Sequence, residues 1–553
     1  MRSGRDSKWI LWLSISVLSA CGGGAGQSSS CERTDCGGTT GPSGPESGAD
    51  GETDASPELP AEARLTIVSG SGQTGGVNET LPAPLVVRVT DASGTPLEGV
   101  EVHWSVVGHE EQGGELSITS DISSSTGLVE AQWMLGWRAG KHEVAATLTE
   151  GDLDAVVFEA TATGVAGEPA LLKVLSGAGQ MTVVGSLFPE PVVVQVRDAF
   201  DEVVADADLV ATAHADGWVV DAAPRGDADG TAAIEWYAGP RAGELQALEV
   251  RAASAVTVVE GSSLAATPGV SHWGNREFVE YIPGELPVII TAPHGGMDEP
   301  DDVADRSYGT FVRDANTTEL SYAMADAFEG RDGRGLRPHL VVVHLRRTKL
   351  DANRDLEEAA QGDPLAIRAW HEYHLWIEAA KASVEADWGA GLYVDVHGHG
   401  HTIQRLELGY TLTAGDLGST DAELNEPWAI EKSTLRTLVA HSGREHAELL
   451  RGASSLGSLF EDAGFPSVPS TAQPSPGGAP YFNGGYNTRR HGCREGGPIC
   501  GVQIEANMQG VRDSAVSRAA FAEASVTVLS SFLELQYGHA LGPAHARPQL
   551  TPR

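Results

Sequence analysis

Leu392-Tyr-Val-Asp-Val-His-Gly-His-Gly-His401 sets an apolar run directly against three imidazoles. Short apolar runs bounded by glycine read as buried strands, and in open α/β sheets ligands bind beyond the carboxyl ends of the strands. Three further runs repeat the arrangement. Pro287-Val-Ile-Ile-Thr-Ala292 leads into Pro293-His294-Gly295-Gly296-Met297-Asp298-Glu299, and His339-Leu-Val-Val-Val343 leads into Arg346-Arg347 and Asp351-Ala352-Asn353-Arg354. Val502-Gln-Ile504 delivers Glu505. Between them Asp363-Pro364 offers an N-cap and an N1 proline, followed by Ile367, Trp370, His374 and Ile377 at helical spacing. Residues 271–539 therefore read as one α/β domain, followed by a Pro-rich tail over 540–553.

Two imidazoles and a carboxylate suit a catalytic zinc, leaving a fourth position for water. His294, Glu299 and His397 supply such a set, with Asp298 the alternative carboxylate. Glu505 is the candidate to take the proton from the water. Gly295 and Gly296 would let the chain turn so that Glu299 returns to the ion. Asn353-Arg354 suits a substrate carboxylate, because guanidinium is a planar, two-pronged donor. Asp395 could orient an imidazole. His399 and His401 share a face with His397 in any extended segment, so a ligand swap stays open. His371 and His374 read as surface or core residues of a Trp-rich helix. The donor set favours zinc, although related geometry serves iron.

Six stretches, in order across nearly the whole domain, carry a family resemblance. They are Ala-Pro-His-Gly-Gly, Asp-x-Asn-Arg, Asp-Val-His-Gly-His-Gly-His, Glu407-Leu-Gly-Tyr410, Tyr481-Phe-Asn-Gly-Gly-Tyr486 with Arg489-Arg490-His491-Gly492, and Val-Gln-Ile-Glu. Together they resemble the N-formylglutamate amidohydrolase family, of the zinc-carboxypeptidase-like (phosphorylase/hydrolase-like) fold. The resemblance implies zinc on His294, Glu299 and His397, with Glu505 as general base. It implies Asn353 and Arg354 on the substrate carboxylate, Arg347 polarising the scissile carbonyl, and Tyr486 and Arg489 lining the pocket. The His-x4-Glu spacing also looks like that of poly-γ-glutamate hydrolases. Carboxypeptidases place the carboxylate at His-x-x-Glu, where this chain has Met297, so the choice between Glu299 and Asp298 stays open with Glu299 preferred.

Upstream, residues 63–269 contain an internal repeat. Ser69, Gly70, Gly72, Gln73, Pro84, Val89 and Asp91 recur as Ser176, Gly177, Gly179, Gln180, Pro191, Val196 and Asp198, at a constant offset of 107. Trp133, Gly136 and Arg138 recur as Trp236, Gly239 and Arg241 at an offset of 103. Short β-branched runs such as Leu85-Val-Val-Arg-Val and Val192-Val-Val-Gln-Val, bounded by Pro, Gly and Asp, predict an all-β sandwich for each copy, over 63–165 and 168–269. The pattern resembles bacterial Ig-like domains of the invasin type (Big-1), whose Thr-Asp-Ala-x-Gly turn is matched by Thr90-Asp91-Ala92-Ser93-Gly94 and in part by Arg197-Asp198-Ala199-Phe200-Asp201. Such domains space or present another module, and their Trp residues read as core.

At the N-terminus, Arg2, Arg5 and Lys8 precede an apolar run, Trp9 to Ala20, of signal-peptide length. Leu18-Ser19-Ala20-Cys21, closing a signal segment over 1–21, resembles the lipobox of bacterial lipoproteins, which implies lipidation of Cys21 as the mature N-terminus and anchoring in the cell envelope, the outer membrane being favoured by Gly22 after the Cys. Residues 22–62, rich in Gly, Ser, Thr and Pro, read as a disordered tether. The remaining cysteines fall into the pairs Cys31/Cys36 and Cys493/Cys500, suited to local disulfides in an oxidising compartment. The chain carries 37 Lys plus Arg against 76 Asp plus Glu, a net charge of −39, which excludes nucleic acid as a partner and disfavours polyanionic substrates.

The expectation is a surface-anchored zinc amidohydrolase cleaving a C–N bond in a small acidic or peptide-like amide. The alternative is an adhesin whose Ig-like domains meet a cell-surface partner and carry a catalytically silent head.

Overall fold

The computed structural model describes residues 63–108, 114–148, 155–331 and 335–541. The signal segment with Cys21, the tether with Cys31 and Cys36, and the tail beyond 541 lie outside the described residues. Among the described residues no helix is long and apolar enough to cross a membrane.

Each repeat copy forms two larger β-sheets closed over one core, with a further two-stranded sheet beside them. In the first, strands Arg64–Ser69, Leu85–Thr90 and Leu128–Ala131 face a five-stranded sheet. In the second, Leu171–Ser176, Val192–Arg197 and Thr231–Ile234 face a four-stranded one. The period of two is plain in the second copy, where Val192, Val194 and Val196 are fully buried and the residues between them are not. Trp133 and Trp236, paired by the repeat, both sit in the core, and Trp236 stacks on Phe188 at 4.1 Å. The repeated glutamines have a common task. Gln73 donates to the carbonyls of Gly70 and Ala83 and accepts from the Ala83 N–H. Gln180 makes the same three bonds to Gly177 and Glu190.

The C-terminal region is built on one eight-stranded mixed sheet. Its strands are β1 (His272–Trp273), β2 (Val279–Ile282), β3 (Val288–Ala292), β4 (His339–Val343), β5 (Gly391–Gly398), β6 (Leu406–Gly409), β7 (Ser467–Val468) and β8 (Ile499–Ala506). The order is β1-β2-β4-β3-β5-β8-β6-β7, and the central four, β4, β3, β5 and β8, run parallel. They are buried on both faces, as a parallel sheet covered by helices must be. On one face Leu392, Val394 and Val396 pack with helices α1 (Thr317–Arg331) and α4 (Ala515–Tyr537). On the other, Tyr393 packs with Trp370, Tyr373 and Trp376 of α2 (Pro364–Trp388). Asp363 caps α2 by accepting from the N–H groups of Leu365 and Ala366.

Two strands run further than the sequence suggests: β5 continues through His397 to Gly398, and β8 through Glu505 to Ala506. Both residues thus sit in strand register, opposite one another. The second sandwich meets α2, where Trp218 stacks on His371 and the Tyr237 hydroxyl donates to Glu372. His374 is buried and bonded to His491 of the short helix α3 (Tyr486–His491).

Candidate metal centre

The carboxyl ends of β3 and β5 deliver two buried imidazoles to one point. His294 Nδ1 and His397 Nδ1 lie 3.1 Å apart. Asp314 Oδ2 is 3.1 Å from the Nδ1 of His397 and 3.5 Å from that of His294. The opposite nitrogen of each ring is tied to a carboxylate: His294 Nε2 to Asp351 at 2.6 Å, His397 Nε2 to Asp395 at 2.9 Å. With both rings neutral and Nε2 donating, the two Nδ1 lone pairs face each other beside a carboxylate oxygen. Bare lone pairs at that separation repel, whereas a divalent cation among the three donors satisfies all of them. Two imidazoles and a carboxylate are also the donor set that zinc takes in open sites.

The carboxylates that position the rings are themselves anchored. Asp395 accepts from the Thr291 hydroxyl at 2.7 Å. Asp351 accepts from Arg347 Nε at 2.9 Å and from the Asn353 backbone N–H. Burial alone would raise Asp314 and Asp351, but His294 acts on both, joined by His397 at Asp314 and by Arg347 at Asp351, and lowers each below the ordinary carboxylate value. Burial would depress His397, yet Asp395 and Asp314 reverse this and raise it well above an ordinary histidine.

Asp314, and not Glu299, is the carboxylate brought to the two histidines. The glycines after His294 explain why. A Cβ on Gly295 would lie 2.2 Å from Thr318 Oγ1, and one on Gly296 would lie 2.2 Å from the His344 carbonyl. The bareness of Gly295 lets the start of α1 close on His294, that of Gly296 lets the chain pass the exit of β4, and Asp314 stands three residues before α1 with its N–H bonded to the His294 carbonyl. The chain at Asp298 instead bridges to the exit of β4 through His344 and Arg346. Asp298 is exposed, and Glu299 is an exposed partner of Arg346 and Thr348.

Glu505 is buried beside this cluster, in register with His397, and its Oε1 accepts from Gln503. Burial raises its pKa to about 8, the neighbouring Asp314 and Glu407 carboxylates adding to the rise and His397 opposing it. Arg347 braces Asp351 with Nε, and its Nη1 donates to the Val312 carbonyl. Asn353 lies beside His397, its Nδ2 3.4 Å from Nε2, while its Oδ1 accepts from the Asn487 N–H. Arg354 pairs with Glu358 through Nε and with the Asn353 carbonyl through Nη1. Tyr486 is engaged by Arg490 and packs near Trp370 and His374, and Arg489 is exposed on α3. His399 and His401 leave the His397 face because β5 ends at Gly398; they turn to Glu407. Cys493 and Cys500 form a disulfide that ties the start of β8 to the turn preceding it.

Sequence reasoning missed Asp314 and Arg512. Arg512 is buried and donates to the carbonyls of Ala506, Ala315 and His399, clamping the ends of β8 and β5 to the Asp314 loop. The only written signal for Asp314 is its place just before the Thr317-Thr318 start of α1. A cavity of about 720 Å³ lies elsewhere, between the second sandwich and α2, lined by Trp218, His371, Glu378 and Arg490 among others. It holds none of the cluster residues, so the chemistry is assigned to the cluster.

No family model matches the chain, and no curated protein matches it. Solved structures similar to it include the D0-D1 domain of intimin, at 13% identity over 36% of this chain and 97% of that one, with a TM-score of 0.18. The adhesin InvE of Yersinia pseudotuberculosis follows at 13% identity over 40% and 68%, TM-score 0.17. Invasin, described as a bacterial integrin-binding protein, is 15% identical over 42% and 44%, TM-score 0.16. These likenesses concern fold alone, and at such scores the case for Ig-like sandwiches rests on the strand pairing described above.

Proposed function

We propose that the chain is a metal-dependent amidohydrolase of the bacterial cell envelope, held by a lipid on Cys21 and spaced from the membrane by its two sandwiches. The observation that supports this reading is the convergence of His294, Asp314 and His397, each imidazole backed by its own carboxylate. Zinc held by these three would supply the Lewis acidity that polarises an amide carbonyl and eases deprotonation of water. The chain's own groups do the rest. Asp351 and Asp395 fix the ring orientations, Arg347 steadies Asp351, and Glu505 exchanges a proton beside the cluster, first with water and then with the leaving amine. Small acidic or peptide-like amides are the substrate class, since a net charge of −39 repels polyanions.

The test is turnover of N-formyl, N-acetyl and short peptide amides by the full chain, before and after chelation. Hydrolysis that is lost on chelation, restored by zinc and absent in Glu505→Gln supports the reading; no turnover of any amide by zinc-loaded protein overturns it. A second reading, an adhesin with a silent head, is favoured by the two sandwiches in series. It predicts cell-surface binding by both wild type and Glu505→Gln, with no hydrolysis.

A further inference from the structure

Beyond the first cluster, a second set of donors converges on the other side of Glu505. His399, His401 and Glu407 offer ligand atoms within 4.8 Å of one another. Glu407 is fully buried on β6, and His401 Nδ1 lies 2.8 Å from its Oε1. Its other oxygen accepts from the Phe482 N–H at 2.8 Å, which aims Oε1 at the histidines. His399 Nε2 lies 2.8 Å from the Arg405 carbonyl, so with Nε2 donating Nδ1 is the basic nitrogen, and it accepts from the backbone N–H of His401 at 3.1 Å. The Phe482 ring stacks on His401 at 4.8 Å and holds its plane. Each of the three is thus oriented by a group outside the set, as metal ligands are.

Charge points the same way. Among the described residues no Lys or Arg makes an ion pair with Glu407; the nearby Arg405 donates to Gln473. The partners of Glu407 are the His401 imidazole and the Phe482 N–H, and a divalent cation among two imidazoles and that carboxylate would balance the buried charge. The sheet also links this set to the first one. β8 lies between β5 and β6, and Glu505 is the register partner of His397 on one side and of Glu407 on the other. Register partners point to the same face, about 5 Å apart. Glu505 therefore stands between a ligand of each set.

We propose that His399, His401 and Glu407 form a second divalent-cation site and that Glu505 lies between the two ions. The position of Glu505 between two ions rests on the metal reading above; the second site itself does not. Zinc content is measured by mass spectrometry on the full chain, loaded with excess zinc and dialysed, for wild type, His399→Ala/His401→Ala and His294→Ala/His397→Ala. Two zinc ions in wild type and one in each double variant is the expected result. One zinc in wild type, lost only in His294→Ala/His397→Ala, overturns the second site, as do two ions retained in His399→Ala/His401→Ala. Zinc that survives in His294→Ala/His397→Ala at the wild-type level but falls in His399→Ala/His401→Ala upholds the second site and overturns the first. No zinc in any form overturns both. Glu407→Gln, nearly isosteric, decides the matter if the histidine variant fails to fold: it is expected to lose one ion with circular dichroism unchanged.

Discussion

Asp198 in the second sandwich and Asp351 in the α/β domain are both buried carboxylates, and they do different work because their partners differ. Asp198 accepts from the backbone N–H groups of Gly167, Phe200 and Glu202, so it staples a turn. Asp351 accepts from the imidazole of His294 and the guanidinium of Arg347, so it aims a ring. Burial alone separates neither from the other. A carboxylate saturated by backbone donors closes local structure, whereas one spent on a titratable side chain sets the orientation of a reactive group.

The most severe way to break this contrast is Glu505→Gln, which removes the proton acceptor and leaves the volume. Hydrolysis is expected to fall by roughly 10²–10⁴-fold with the melting temperature unchanged. Asp351→Asn frees His294 to turn while keeping size and burial. Its expected cost is about 10–100-fold in zinc affinity or turnover, read by competition with a chelator. Asp198→Ala should leave turnover per folded molecule unchanged and lower stability by on the order of 1 kcal/mol, read by denaturant unfolding. Its pH dependence has a definite sign. Burial would raise Asp198, but its backbone donors outweigh that and lower it below 3.8. The stability it contributes is therefore present above pH 3.8 and lost as pH falls through the lowered folded value, so the wild-type advantage over Asp198→Ala shrinks in acid. Smallest of all, Glu299→Gln should change turnover and zinc content by less than about two-fold, because its exposed pairing with Arg346 is worth little.

Much of this was written in the sequence. The two sandwiches follow from an internal repeat whose matched residues, Gln73 and Gln180 or Trp133 and Trp236, recur in matched structural places. His294 and His397 were visible because each follows an apolar run directly. The carboxylate that joins them was not, because proximity in sequence favoured Glu299 whereas the fold brings Asp314. Gly295 and Gly296 do permit a close approach, but it is α1 that approaches the first and the exit of β4 the second. Arg512 was equally hidden, since its three carbonyl partners come from three separate segments that only the folded sheet brings together.

The central claim is that Asp314 completes the centre, and zinc content of full-length Asp314→Ala beside Glu299→Ala tests it most directly. The account predicts one zinc fewer than wild type in Asp314→Ala and no loss in Glu299→Ala. Loss in Glu299→Ala with full retention in Asp314→Ala would contradict it.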